Sequence, residues 1–227
     1  MFFILPWKLK QPTPQTGAPV ANLTLVAINV IVYLFGWCEF WAVGPGTRWL
    51  SVLTYAFCHA SVWHLVVNMW AFWVFGNPVN RRIGNAFYLV AYLGTAVVLG
   101  LVARLLLSTY LAGSSGVLFA VIAIALILMP GAVLQIACVA LFPLTVVVGL
   151  LAKPKQWWYW IVRWAMFSVP ALWCLVLIPL IQLWSFFWSG WSWTPVAHLL
   201  GMVCGVAVVL LLPTRITMGR RLSAGIP

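Results

Sequence analysis

Residues 87–107 read FYLVAYLGTAVVLGLVARLLL, an apolar run with a single charge at Arg104. The hydrocarbon core of a bilayer needs about 20 mostly apolar residues for each helical span, so this run predicts a transmembrane helix. The rest of the chain has the same character, because 65% of its 227 residues are hydrophobic and only 6% are charged. A water-soluble domain with a polar surface does not have this composition. The sequence therefore predicts a polytopic membrane protein without a sizeable soluble domain.

Similar apolar runs elsewhere predict an all-α membrane protein, a bundle of six transmembrane helices. The spans are predicted at residues 22–37, 59–75, 87–107, 115–129, 163–184 and 194–212. The second span is expected to end at Gly76-Asn77-Pro78, and Pro170 and Pro179 are expected to kink the fifth. Residues 38–58 are too broken by glycine and proline for a span but carry tryptophans, so an interfacial first loop is predicted.

The course of residues 131–152 is ambiguous, because they are apolar enough to cross the bilayer. A crossing would place Lys153 and Lys155 outside and would start the span of His198 at the cytoplasmic face. A re-entrant or interfacial segment keeps most basic residues on one side. The positive-inside rule favours this second course.

The formal net charge of +11 comes from twelve Lys and Arg against one acid, Glu39. Nucleic-acid binding is not favoured, because the basic residues stand at the ends of apolar runs rather than on a soluble face with stacking aromatics. This placement predicts contact with anionic membrane lipids and cytoplasmic termini. We predict a cytoplasmic tail at 1–20, irregular because of its prolines, a membrane domain at 21–213 and a basic cytoplasmic tail at 214–227. The bacterial inner membrane is the expected location.

Metal and cofactor sites are not predicted. The five cysteines are scattered through apolar segments without paired spacing, as is typical of small buried hydrophobes. The three histidines, His59, His64 and His198, have no nearby acid or cysteine pair to complete a ligand set.

All three histidines lie in or at the ends of predicted spans, where polar groups are expensive and suggest function. The segment HASVWHLVVN, residues 59–68, places His64 and Asn68 four residues apart and so on one helix face. Both can donate hydrogen bonds into the bundle. They can equally satisfy each other or a neighbouring helix, which is a common structural use of such residues.

The fourth predicted span begins with Gly113-Ser114-Ser115-Gly116. Glycines permit a tight turn and a close approach to a substrate, and a helix amino-terminus leaves backbone N–H groups unpaired. A serine in this position faces potential oxyanion donors. Small residues at such helix ends also serve packing alone, so the motif is weak in isolation.

In the sixth span, Gly201 and Gly205 have the spacing of a close helix contact, and His198 lies on the same face. With the predicted topology, Ser115 and His198 both begin spans that descend from the outer side. The two side chains are therefore expected at one depth in the membrane. A serine beside a neutral imidazole is the minimum for an activated nucleophile.

Taken together, the three segments resemble the rhomboid family of intramembrane serine proteases over roughly residues 20–212. The resemblance implies a catalytic dyad of Ser115 and His198 without an acid. It implies that His64, Asn68 and the backbone N–H of Ser115 hold the oxyanion, and that His59 is structural near the mouth of a cavity. It further implies cleavage of transmembrane segments of membrane proteins near their outer ends.

Two positions depart from the family pattern, and a second function follows from them. Phe119 stands where the family commonly has a tyrosine against the catalytic histidine, so stacking is retained without the hydroxyl. Asn80 stands where many members have a glutamate. Glu39 is remote from His198 in the predicted topology, so an aromatic ring is expected to orient the imidazole. The alternative is a catalytically impaired relative that binds and escorts membrane proteins. A channel or transporter is not favoured, because pore-lining charges and paired broken helices are missing.

Overall fold

The structure of the protein, a computed structural model, describes residues 2–11, 17–107, 110–141, 145–146, 162–190 and 192–213. The helices are α1 (Val20–Leu34), α2 (Ser51–Thr54), α3 (Val62–Ala71), α4 (Asn77–Ile83), α5 (Asn85–Leu106), α6 (Ser115–Leu128), α7 (Ala171–Trp188) and α8 (Trp193–Leu211). Short 3-10 turns occupy Trp37–Phe40 and Tyr55–Phe57, and a π-helical turn, Phe72–Gly76, joins α3 to α4. The strands are β1 (Phe2–Lys10), β2 (Val133–Leu141) and β3 (Val162–Pro170).

Helix α6 is the centre of the bundle. It is apolar on every face and has no exposed residue, which is the pattern of a helix surrounded by other helices. Its neighbours are α8, with the most extensive contact, then the π-helical turn, α5 and α7. The outer helices turn large apolar side chains outward, as on α7, where Trp184 and Trp188 are 68% and 80% exposed. This apolar exterior is the surface of an integral membrane protein.

Among the described residues, three helices are long and apolar enough to cross a membrane: α5, α7 and α8. The segments Ser51–Phe57 and Val62–Ile83, bent by 89° relative to each other, qualify together as a fourth candidate. Helices α1 and α6 are apolar but shorter. The six-span count and the interfacial position of residues 38–58 therefore stay predictions.

Four of the predicted helices are confirmed to within a few residues at each end. These are α1, α5, α6 and α8, predicted at 22–37, 87–107, 115–129 and 194–212. Long apolar runs are enough to locate such helices. Residues 108–109 and 214–227 lie outside the described residues, and so does the predicted basic carboxyl-terminal tail.

The predicted end of the second span at Gly76-Asn77-Pro78 is wrong. The chain stays helical through the π-helical turn and α4 as far as Ile83. Pro78 stands in the first turn of α4, directly after the π-helical turn, where the regular α-helical hydrogen-bond pattern is already interrupted and a proline is tolerated. Pro78 therefore belongs to the start of α4 and does not end the second predicted span.

The protein is mostly helical, as predicted, but it is not all-α, because β1, β2 and β3 form an antiparallel sheet with β2 in the middle. Residues 2–10 were expected in an irregular tail, residues 133–141 in a re-entrant or interfacial segment and residues 163–170 in the fifth helix. Residues 142–144 and 147–152 of the 131–152 segment lie outside the described residues. Short apolar runs do not reveal by periodicity whether they are strands or buried helices.

Two prolines lie in the strands, and each is accommodated by its position. Pro170 disfavours helical backbone at Val169, so β3 stays extended up to Pro170 and α7 begins at Ala171. Pro6 is tolerated because β1 is an edge strand, and the pairing with β2 is irregular between Pro6 and Lys8. The indole N–H of Trp70 donates to the Pro6 carbonyl over 2.6 Å and ties the sheet to α3.

The sheet lies at the end of the bundle where α6 finishes, opposite the end that carries Ser115. At the sheet end, an asparagine cluster joins three helices: Asn22, Asn77, Asn80, Asn85 and Tyr88. The Asn22 side chain donates to the Asn77 amide oxygen (2.8 Å) and the Phe72 carbonyl (3.0 Å) and accepts from the Tyr88 hydroxyl (2.6 Å). The backbone N–H of Asn22 donates to Asn80 Oδ1 (2.9 Å). Asn80, unexpected from the family pattern, is thus a satisfied member of a structural network.

Replacing Asn22 with alanine should lower the free energy of unfolding by about 1–3 kcal/mol, because the buried Tyr88 hydroxyl and Asn77 oxygen lose their partner. Thermal unfolding in detergent measures the effect. Leu23→Ala is the control, since Leu23 is on the same helix but 40% exposed. Equal melting of Asn22→Ala and the parent would show that the cluster does not hold the helices.

Candidate active site

The turn before α6 positions Ser115. Gly113 has φ +116°, a backbone conformation that L side chains rarely adopt, and its N–H donates to the Tyr55 carbonyl over 2.9 Å. A Cβ at Gly113 would also lie 2.7 Å from His64 Cε1, so the position has no room for a side chain. Ser115 follows as the first residue of α6, where backbone N–H groups have no intrahelical acceptor.

Backbone contact between α6 and α8 brings His198 to Ser115. A Cβ at Gly201 would collide with the Gly116 carbonyl oxygen, and a Cβ at Gly205 would lie 2.9 Å from Ala123 Cβ. These glycines allow the two helices to approach until backbone meets backbone. His198, one turn before Gly201, then lies with Nε2 3.0 Å from Ser115 Oγ.

Three side chains hold the His198 ring. Ser115 faces Nε2, Gln182 of α7 places Oε1 2.9 Å from Nδ1, and the Phe119 ring stacks at 4.1 Å between centroids and 9° between planes. With the Gln182 oxygen facing Nδ1, the tautomer that satisfies this contact carries its proton on Nδ1 and donates it to Gln182. Nε2 is left with a lone pair, and the Ser115 hydroxyl donates to it.

His64 and Asn68 occupy consecutive turns of α3, as their spacing requires. His64 is half-buried and lies on the wall of a cavity of about 110 Å³ that Ser115, Tyr55, Leu99 and Thr194 also line. The volume suits a few water molecules or one small side chain. Asn68 is 4% exposed and is not among the described residues that line the cavity. Its Nδ2 is buried without an acceptor in the part of the chain that the structure describes.

His59 lies beside the serine turn rather than in the cavity wall. It is 2% exposed, and its Nε2 is 3.2 Å from the hydroxyl of the fully buried Ser114. Its ring meets His64 edge-on with centroids 5.0 Å apart. This contact links the segment before α3 to the start of α6, and it is compatible with the structural role predicted for His59.

Gln182 is not among the predicted site residues, because the predicted partner of the His198 ring is an aromatic ring alone. The ring of Phe119 is present, but a hydrogen-bond acceptor on α7 accompanies it. A signal did exist. Gln182 is an amide in an otherwise apolar helix, and such polar residues in hydrocarbon are rare unless they are paired.

Comparison with known proteins identifies the family. A family model described as the Rhomboid domain matches residues 46–215, more than half of the chain. The chain belongs to the rhomboid family. The match includes the segments that carry His64, Asn68, Ser115, Gln182 and His198.

Three of the curated relatives are named as rhomboid proteases. The chain is 30% identical to the rhomboid protease GlpG of Pectobacterium atrosepticum over 101 residues, 44% of this chain and 37% of the relative. It is 27% identical to GlpG of Photorhabdus laumondii over 116 residues, 44% of this chain and 39% of the relative. It is also 27% identical to the rhomboid protease GluP of Bacillus subtilis over 122 residues, 46% of this chain and 24% of the relative. The matches span less than half the length of these relatives.

A methyl group at Gly201 should separate α6 from α8 and lower the free energy of unfolding by about 1–3 kcal/mol, since it meets backbone rather than a flexible side chain. Thermal unfolding of Gly201→Ala measures this. Val203→Ala on the same helix is the control, because Val203 is 64% exposed. A Gly201→Ala protein as stable as the parent would contradict the backbone contact.

Proposed function

We propose that the chain is an intramembrane serine endopeptidase in which Ser115 is the nucleophile and His198 the general base. The observation that carries the proposal is the 3.0 Å approach of His198 Nε2 to Ser115 Oγ in a member of the rhomboid family. The names of the curated relatives support proteolysis as the reaction.

The reaction follows from the protonation state of His198. As Ser115 Oγ attacks a peptide carbonyl carbon, its proton moves to Nε2 and the carbonyl oxygen becomes an oxyanion. The C–N bond then breaks, and the leaving amine takes the proton from Nε2. Water enters, gives a proton to Nε2, attacks the acyl-enzyme and releases the new carboxyl terminus and Ser115.

The oxyanion is proposed to lie between the amino-terminus of α6 and α3. The backbone N–H of Ser115, the His64 ring and Asn68 Nδ2 are the donors. Two features support this: His64 and Ser115 line one cavity, and Asn68 has a buried donor with no acceptor among the described residues. An unpaired buried donor is costly in the resting protein and is relieved when an oxyanion accepts from it.

The proposed substrates are transmembrane segments of other membrane proteins. A carbonyl inside a helix already accepts an intrahelical bond, so the segment must unwind locally before Ser115 can attack. The cavity of about 110 Å³ suits a small side chain next to the cleaved bond. Cleavage near the end of a transmembrane segment, where unwinding is easiest, fits both requirements.

We propose that the sheet end of the bundle faces the cytoplasm of a bacterial inner membrane and the Ser115 end faces outward. Lys8, Lys10, Arg81 and Arg82 stand at the sheet end, which agrees with the positive-inside rule. A groove of about 700 Å³ between β1 and the α3–α4 segment contains Lys8, Lys10 and Arg81 together with exposed tryptophans. This chemistry suits anionic lipid head groups. The tails 1–20 and 214–227 would lie on this side of the membrane domain, 21–213.

Ser115→Ala and His198→Ala should each abolish cleavage of a model transmembrane substrate, since one removes the nucleophile and the other its base. The measurement is substrate cleavage in detergent, together with labelling by a mechanism-based serine-hydrolase probe. Thermal unfolding checks that the variants fold, and Ser189→Ala, a surface serine, is the control. A folded Ser115→Ala protein that still cleaves at the parental rate would refute the assignment.

Asn68→Ala should lower kcat about a hundredfold, the scale for one oxyanion donor when others remain. The loss should be smaller than that of Ser115→Ala, and KM should change little. Steady-state kinetics on the same substrate separate the two constants. Unchanged kcat in folded protein would make Asn68 a packing residue.

A further inference from the structure

We propose that Gln182 is a positioning residue for the reaction: its side-chain oxygen holds His198 in the one tautomer and orientation that leave Nε2 free to accept the Ser115 proton. The proposal rests on the proposed function and adds a third member to the Ser115–His198 pair. It is carried by the chain of two hydrogen bonds, Ser115 Oγ to Nε2 at 3.0 Å and Nδ1 to Gln182 Oε1 at 2.9 Å.

A neutral imidazole carries its proton on either nitrogen, and only the Nδ1–H form is a base toward Ser115. In the orientation that the structure shows, the Gln182 oxygen lies 2.9 Å from Nδ1 and accepts a hydrogen bond from the Nδ1–H form only, so this orientation favours that form. In soluble serine proteases a buried aspartate orients the histidine in the same way. Here an amide does so without placing a second ionised group in an apolar bundle, where an ion is far more expensive than a hydrogen-bonded neutral group.

The position of Gln182 on α7 suits this role. Ile181 and Leu183, on either side of it, are 59% and 44% exposed, whereas Gln182 is half-buried and turned toward α8. The buried residues of α7 are Ala171 and Cys174, both near its first turn. The hydrogen bond to His198 is thus a specific polar contact on the less buried part of the helix.

A purely structural explanation is that Gln182 ties α7 to α8, as amides do in membrane bundles. That role predicts a change in stability but no change in the pH dependence of catalysis. The two roles therefore separate by measurement. The titratable groups around the cavity are His64 on α3 and Tyr55, and among the described side chains packed around His198 there is no carboxylate.

The experiment compares Gln182→Met, which keeps the length but removes the amide acceptor, with Gln182→Glu, which keeps an acceptor and adds charge. Gln182→Met should lower kcat about tenfold with little change in KM, the scale of one net hydrogen bond. Gln182→Glu should stay active, with the rising limb of the kcat/KM profile moved to higher pH, because a carboxylate stabilises the imidazolium that must lose its proton. Leu183→Met, at the neighbouring exposed position, is the control and should match the parent.

A second readout does not depend on proteolysis. Nitrogen NMR of histidine-labelled Ser115→Ala protein reports the tautomer of His198, and only three histidines contribute signals. The Nδ1–H form should dominate with Gln182 and lose its dominance in Gln182→Met. An inactive parent that shows this tautomer change would refute the protease function and leave the positioning role intact. Parental kcat in folded Gln182→Met, or a tautomer that ignores the substitution, would refute the positioning role.

Discussion

Close backbone contact between α6 and α8 is the constraint on which the rest of the structure depends. Lipid is as apolar as the helix surfaces, so burial of apolar side chains from water gives little drive for helices to associate within a membrane. Tight packing must therefore hold the helices together, and the Gly116–Gly201 contact makes that packing possible. The same contact fixes the depth of His198 relative to the first turn of α6. Packing and chemistry thus depend on the same two small residues.

Two groups of polar side chains lie at opposite ends of the bundle. The asparagine cluster joins α1, α4 and α5 at the sheet end, whereas the histidines, Ser114 and Ser115 meet at the other. In the cluster the donors are largely matched to acceptors, which makes it rigid. At the Ser115 end Asn68 Nδ2 and His59 Nδ1 have no partner among the described residues. A buried hydrogen-bond donor without a partner lowers stability, but it can stabilise a negative charge that develops during a reaction.

Most of the helices could be predicted from the sequence, and so could several side chains that the structure brings together around Ser115. Long apolar runs identify α5, α6 and α8, and the motifs around His64, Ser115 and His198 are specific when taken together. The strands were not predicted, because their short apolar runs have no distinguishing period. Pro170 is a local signal against a helix in β3, since it disfavours helical backbone at Val169. Gln182 was not predicted because it lies in none of the recognised motifs. Its contact depends on how α7 packs against α8, which is tertiary information.

The sheet has a consequence for the order of events during synthesis. Phe2 of β1 pairs with Ala140 of β2, so α1 to α6 all separate the two strands in the chain. During synthesis β1 emerges from the ribosome before α1 to α6, and it has no partner strand until β2 has followed α6. During that interval the strand has an open edge, which invites pairing with other chains. Lys8 and Lys10 place two positive charges on the unpaired strand β1, and repulsion between the like-charged β1 strands of two chains opposes their association.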